Sequence, residues 1–161
     1  MGYAQFPNGP ANTDGVVIGY QYVGYNDASY PYNLGRTATH EIGHWLDLYH
    51  IWGDDTNCAG SDVVGDTPNQ KVETYGCPSY PKTDVCSATA PGIMFMNYMD
   101  YTDDACMNMF TLGQKTRARA LFEPGGDRYA MLSSDGCGLQ PYDAEALAAL
   151  PGGTVCDLSI T

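Results

Sequence analysis

All three histidines of this 161-residue chain lie in one window, His40-Glu41-Ile42-Gly43-His44-Trp45-Leu46-Asp47-Leu48-Tyr49-His50. On a helix, His40 and His44 project from the same face one turn apart and can offer ring nitrogens to a single ion. Glu41 lies one position round, placed to reach a water on that ion rather than the ion itself. This is the HExxH arrangement of zinc hydrolases. His50 adds a third neutral nitrogen and leaves the fourth tetrahedral position to water. Its place demands a chain reversal, because a continuous helix would carry it about 15 Å along the axis from His40. The helix must stop between His44 and His50, most readily at a residue in the left-handed region. Position 47 holds Asp, which tolerates that conformation at a cost of about 1 kcal/mol, so glycine there is expected to keep the metal site. Two rival readings are a solvated helix face and a structural zinc site. The chain uses His nowhere else, which argues against the first. No Cys lies near His50 to serve as a fourth ligand, which argues against the second.

Composition removes other classes. With 7 Lys+Arg against 19 Asp+Glu and a net charge of −12, the chain cannot neutralise nucleic-acid phosphates in the ordinary way and is repelled by anionic membranes. No apolar run approaches the roughly 20 residues a spanning helix needs. A hydrophobic fraction of 43% is enough for one folded domain. Cysteines at 58, 77, 86, 106, 137 and 156 form an even set without zinc-ribbon spacing. They read as three disulfides formed in an oxidising compartment, extracellular or periplasmic. Spacing alone leaves all fifteen pairings open. Met1-Gly2-Tyr3-Ala4-Gln5 has neither the basic flank nor the apolar stretch of a signal peptide.

Along the chain, Tyr3–Phe6 reads as a short strand and Gly15–Val23, β-branched and aromatic, as a longer one. A helix is expected from Thr37 to about Asp47, with Ala38, Ile42, Trp45, Leu46 and Tyr49 as its apolar stripe. Gly53 to Gly92 is almost all turn formers and needs disulfides or bound ions to hold it. Thr111-Leu112-Gly113-Gln114 is a capping box opening a helix to about Glu123, where Pro124-Gly125-Gly126 stops it. Asp143–Leu150 is a further short helix candidate.

HEIGHWLDLYHIWG resembles the HExxHxxGxxH zinc motif of the metzincins, and in particular that of the pappalysin (ulilysin-like) metalloendopeptidases, whose motif reads close to HEVGHWLGLYH. Three other segments carry the same resemblance: Asp62–Pro68, like the family's calcium loop, Asn97–Tyr101, like its Met-turn, and Thr102–Thr111, like the segment that shapes its specificity pocket. The resemblance spans about residues 3–136. It implies an α+β, zincin-like catalytic domain over 1–136, with a small mixed sheet, an active-site helix, a C-terminal helix and a large irregular region stapled by disulfides and calcium. Residues 137–161 would be a disulfide-tied extension. It further implies a secreted zinc-dependent endopeptidase acting on polypeptides before Arg or Lys, through zinc on His40, His44 and His50. Glu41 would be the general base, Tyr101 the oxyanion donor, Met99 the floor under the metal and Asp104 the base of the S1′ pocket. Asp62, Asp66 and Thr67 would bind calcium. The implied disulfides are Cys58–Cys86, Cys77–Cys106 and, with them, Cys137–Cys156. Two departures stand out. Asp47 replaces the family's glycine, and only 39 residues precede His40, fewer than the upstream strands and backing helix of the family would occupy. Either those elements, or a prosegment, lie upstream in a longer precursor, or the missing layer comes from another chain, or this is a reduced form of the fold. Gly15–Val23 would then be the rim strand of the cleft, with Val17 exposed. The alternative is a catalytically inert fragment or a calcium-stabilised binding module that retains the zinc site.

Overall fold

The computed structural model describes residues 1–134. The expected helix at Asp143–Leu150, the bond Cys137–Cys156 and the extension 137–161 lie outside the described residues. Two strands, β1 (Gly2–Ala4) and β2 (Val16–Ile18), pair antiparallel with Tyr3 opposite Val17. Among the described residues the sheet is thus a single antiparallel pair, and parallel pairing is confined to isolated bridges such as Asn97 with Met109. Tyr3 and Val17 share the outer face and are 67% and 50% exposed. The inner face lies on the ligand-bearing helix, so closely that a Cβ on Gly2 would meet Glu41 Cγ at 2.9 Å.

Two expectations about the strands are corrected. The longer strand ends at Ile18, because Tyr20–Tyr22 closes a 3-10 turn with Tyr22 N donating to Gly19 O at 2.8 Å. Tyr20, 88% exposed, has no neighbouring strand on which to realise its aromatic β preference. The strand bordering the cleft is β1, and β2 stands behind it.

Helix α1 spans Arg36–Trp45. Its buried residues are Thr37, His40, Glu41, Gly43 and His44. The apolar stripe falls on the opposite side, with Ile42 46% exposed, so it does not face the core as the periodicity suggested. The ligand face wins because α1 rides directly on Met99: a Cβ at Gly43 would lie 2.4 Å from Met99 Sδ. Leu48, Ile51, Trp52 and Met99 form the core beneath the histidines, with Met94, Tyr101 and Ala118 packed against it.

Helix α2 spans Leu112–Ala120 and opens with the predicted capping box, Thr111 with Gln114. Its regular part stops three residues before Glu123, and turn bonds such as Arg128 N to Leu121 O replace the helical ladder. Gln114 and the buried Asn97 exchange both amide hydrogen bonds, at 2.8 and 3.1 Å. The cap of α2 is therefore fastened to the Met-turn.

The long irregular region carries disulfides Cys58–Cys86 and Cys77–Cys106. Each closes a loop of nearly thirty residues and removes roughly 3–4 kcal/mol of unfolded-chain entropy. Local carboxylate turns do the rest. Asp84 accepts from Lys71 N, Cys86 N and Ser87 N. The buried Asp100 accepts from Gln70 Nε2, Thr74 N and Tyr101 N.

Candidate metal centre

The reversal after α1 is a Schellman turn. Asp47 N donates to His44 O and Leu48 N to Gly43 O, both at 2.9 Å, and Asp47 takes φ +65°. This is the predicted left-handed position, and it returns His50 to the helix. The ligand nitrogens of His40, His44 and His50 lie within 4.8 Å of one another. Among the described residues no carboxylate or thiol joins this group, and Glu41 is outside it.

Each imidazole is aimed by its other nitrogen. His40 Nδ1 lies 2.7 Å from Tyr98 O, His44 Nδ1 2.8 Å from Leu48 O, and His50 Nδ1 2.6 Å from Asp54 Oδ1. Those oxygens only accept, so each Nδ1 carries the proton and each Nε2 presents a lone pair. His44 Nε2 and His50 Nε2 then face one another at 3.0 Å. Between neutral rings such an approach is repulsive, and a cation shared by the nitrogens makes it favourable. The donor set therefore fits zinc, which takes three imidazoles and an open position in hydrolytic sites. Burial lowers the His40 pKa to about 3 and the His44 pKa to about 4, keeping both rings neutral at physiological pH.

Glu41, Tyr101 and Asp104 line the same cleft as the histidines, a space of about 460 Å³ bordered by β1. Glu41 is 8% exposed, and burial raises its pKa. Tyr101 OH donates to His50 Nε2 at 3.1 Å, and burial pushes its phenol up to about 12, so it remains a donor. Met99 is fully buried beneath the cluster. Asp104 is 2% exposed, and its Oδ2 accepts from Leu34 N at 2.8 Å and Arg36 N at 3.1 Å.

The three residues expected to bind calcium sit in a hydrogen-bonded loop. Asp62 Oδ1 accepts from Val64 N and Thr67 Oγ1, and Asp66 Oδ2 from Gly113 N of α2. Among the side-chain oxygens of these three residues, only Asp62 Oδ2 is buried without a hydrogen-bond partner.

Sequence reasoning missed four supports of the centre. Asp54, four residues after His50, orients that ring. Trp52 stacks on it with centroids 4.3 Å apart and planes at 5°. The carbonyls of Tyr98 and Leu48 orient the other two rings and leave no trace in residue type. Only Asp54 carried a readable signal, an acid four residues beyond a ligand. Asp54→Ala is expected to weaken zinc binding 10–100-fold, the usual cost of losing an orienting carboxylate. Competition with a chromophoric chelator measures it.

Residues 1–123 match the family model described as Pregnancy-associated plasma protein-A, Peptidase_M43. An extracellular metalloprotease of Verticillium alfalfae is 45% identical over 128 residues, covering 74% of this chain and 44% of the relative. One from Colletotrichum graminicola is 45% identical over 124 residues, covering 73% and 43%. Among solved structures, Tannerella forsythia mature mirolysin in complex with a cleaved peptide shares 56% identity, with TM-score 0.79, over 83% of this chain and 52% of that one. The chain spans about half the length of these relatives.

Proposed function

This chain belongs to the Pregnancy-associated plasma protein-A family of peptidases (Peptidase_M43), and from that premise we propose that it is the metal-binding half of an extracellular zinc metalloendopeptidase. The observation that supports this best is the convergence of three Nε2 lone pairs beside a buried carboxylate that is not part of the ligand group. The extracellular assignment draws on relatives named extracellular metalloproteases.

Zinc held by His40, His44 and His50 would supply Lewis acidity, bringing the pKa of its water near 7 and polarising the scissile carbonyl. Glu41 would accept a proton from the attacking water and return it to the leaving amine. Tyr101 donates its phenolic hydrogen to the developing oxyanion. The edge of β1 facing the cleft has no strand partner among the described residues, and an extended peptide would pair there. Asp104 Oδ1, with both backbone hydrogen bonds falling on Oδ2, would receive the Arg or Lys that follows the cut. Calcium, if bound, would sit on Asp62 Oδ2 with backbone carbonyls of its loop, where it would relieve the unpartnered oxygen.

A fluorogenic peptide with an internal Arg tests the reading. Cleavage before Arg, abolished by a chelator and restored by zinc, supports it. Asp104→Asn should then lower kcat/KM for that peptide about tenfold or more and spare a neutral analogue. Zinc uptake without cleavage of any peptide would favour the inert binding module instead.

A further inference from the structure

We infer that Arg117, on α2, is a positioning residue for the metal centre, acting through Asp47. Asp47 is a non-glycine residue held at φ +65°, a conformation in which its Cβ crowds the following carbonyl. Arg117 grips it twice. Nε donates to Asp47 O at 2.7 Å and NH2 to Asp47 Oδ2 at 2.6 Å. The backbone and the side chain of the strained residue are thus held by one planar fork, a geometry that lysine cannot reproduce. The same guanidinium carbon lies 5.0 Å from the Tyr49 ring centroid, next in sequence to His50.

Both ends of this connection reach the ligands. The turn that Asp47 closes presents Leu48 O to His44 Nδ1 at 2.8 Å and returns the chain to His50. At its other end α2 is anchored to the Met-turn by the Asn97–Gln114 pair. Arg117 therefore ties the turn carrying the third ligand to the element beneath the metal. The side chain needed for this is the one that departs from glycine at 47: its carboxylate supplies the second contact of the fork. Asp47 and Arg117 form a unit, and each makes the other useful.

The inference rests on the zinc reading, and the test separates the two. Zinc affinity is measured by chelator competition on the full chain for wild type, Arg117→Ala, Arg117→Lys, Asp47→Gly and the double variant Asp47→Gly/Arg117→Ala. The visible spectrum of each cobalt-loaded form reports the ligand field. Arg117→Ala should weaken zinc binding at least tenfold and alter the cobalt spectrum, with Arg117→Lys intermediate. Asp47→Gly should stay within threefold of wild type. In the glycine background, where the turn is unstrained, losing Arg117 should cost at least threefold less than in wild type. Equal losses in both backgrounds, or an unchanged spectrum in Arg117→Ala and Arg117→Lys, would overturn the inference and leave the zinc reading standing. Wild-type protein that binds neither metal would overturn the zinc reading itself. Should Arg117→Ala fail to fold, the lysine variant carries the comparison.

Discussion

Glu41→Ala is expected to keep zinc and lose about 10²–10⁴-fold in kcat, the contribution of a positioned general acid–base group. The metal should stay because Glu41 is not one of the converging ligands. The rate should fall because no other carboxylate occupies that position on the buried face of α1. Burial makes Glu41 a stronger base than a solvated glutamate by raising its pKa. Activity should decline on the acid side once pH falls through the titration of this carboxyl. Below that point the carboxyl is protonated and cannot accept from water. Glu41→Gln should match the alanine variant, since it fills the space without basicity. Glu41→Asp should also lose about 10²-fold, because a displacement of about 1 Å from the reacting water is costly. Metal analysis alongside kcat and its pH profile checks all three. Wild-type-like cleavage by the alanine variant would remove Glu41 from the chemistry.

The metal centre was more legible in the sequence than the fold around it, for a physical reason. Ligand geometry is written locally: two histidines four apart fix a helix face, and the third, six residues on, forces a reversal that the left-handed Asp47 provides. The capping box at Thr111 was readable for the same reason. What failed depended on partners distant in the chain. The apolar stripe of α1 marks a face opposite the buried one, because residue periodicity does not say which neighbour a helix meets. Gly15–Val23 had the composition of a strand, but only Val16–Ile18 finds a partner to ladder with. The orienting carbonyls of Tyr98 and Leu48 are backbone atoms and carry no residue code. The bonds from Thr67 to Asp62 and from Gly113 to Asp66 likewise depend on a loop fold that turn-rich composition does not show.

The largest stability effect is expected at Asp14, which binds the last residue of α1. Arg128 is 4% exposed and binds the Asp14 carboxylate through NH1 at 2.8 Å and NH2 at 3.0 Å. Its Nε donates to Trp45 O at 3.0 Å, and its guanidinium carbon lies 3.6 Å from the Trp45 ring centroid. Trp45 Nε1 closes the network on Asp14 Oδ1 at 2.9 Å. Three distant segments thus meet at the last residue of α1. Asp14→Ala leaves a buried guanidinium without its counter-charge, but the Asp14 side chain is 35% exposed and water screens the pair, so the change should cost about 2–3 kcal/mol. At roughly 2–4 °C per kcal/mol for a chain of this size, the melting temperature should fall by about 4–12 °C. Replacing both partners by apolar residues, Asp14→Leu with Arg128→Met, should cost less than Asp14→Ala alone, since no charge is then stranded. The pH dependence has a definite sign. The hydrogen bond from Arg128 holds the Asp14 carboxyl below its ordinary 3.8. As pH falls through that range the unfolded chain takes up the proton first, so protonation favours unfolding. The stability gap between wild type and Asp14→Ala should be constant near neutrality and shrink below about pH 4. Because the lock grips the end of the ligand helix, zinc release and loss of tertiary structure should coincide on heating. A melting temperature for Asp14→Ala within 2 °C of wild type would show that the network merely decorates the surface.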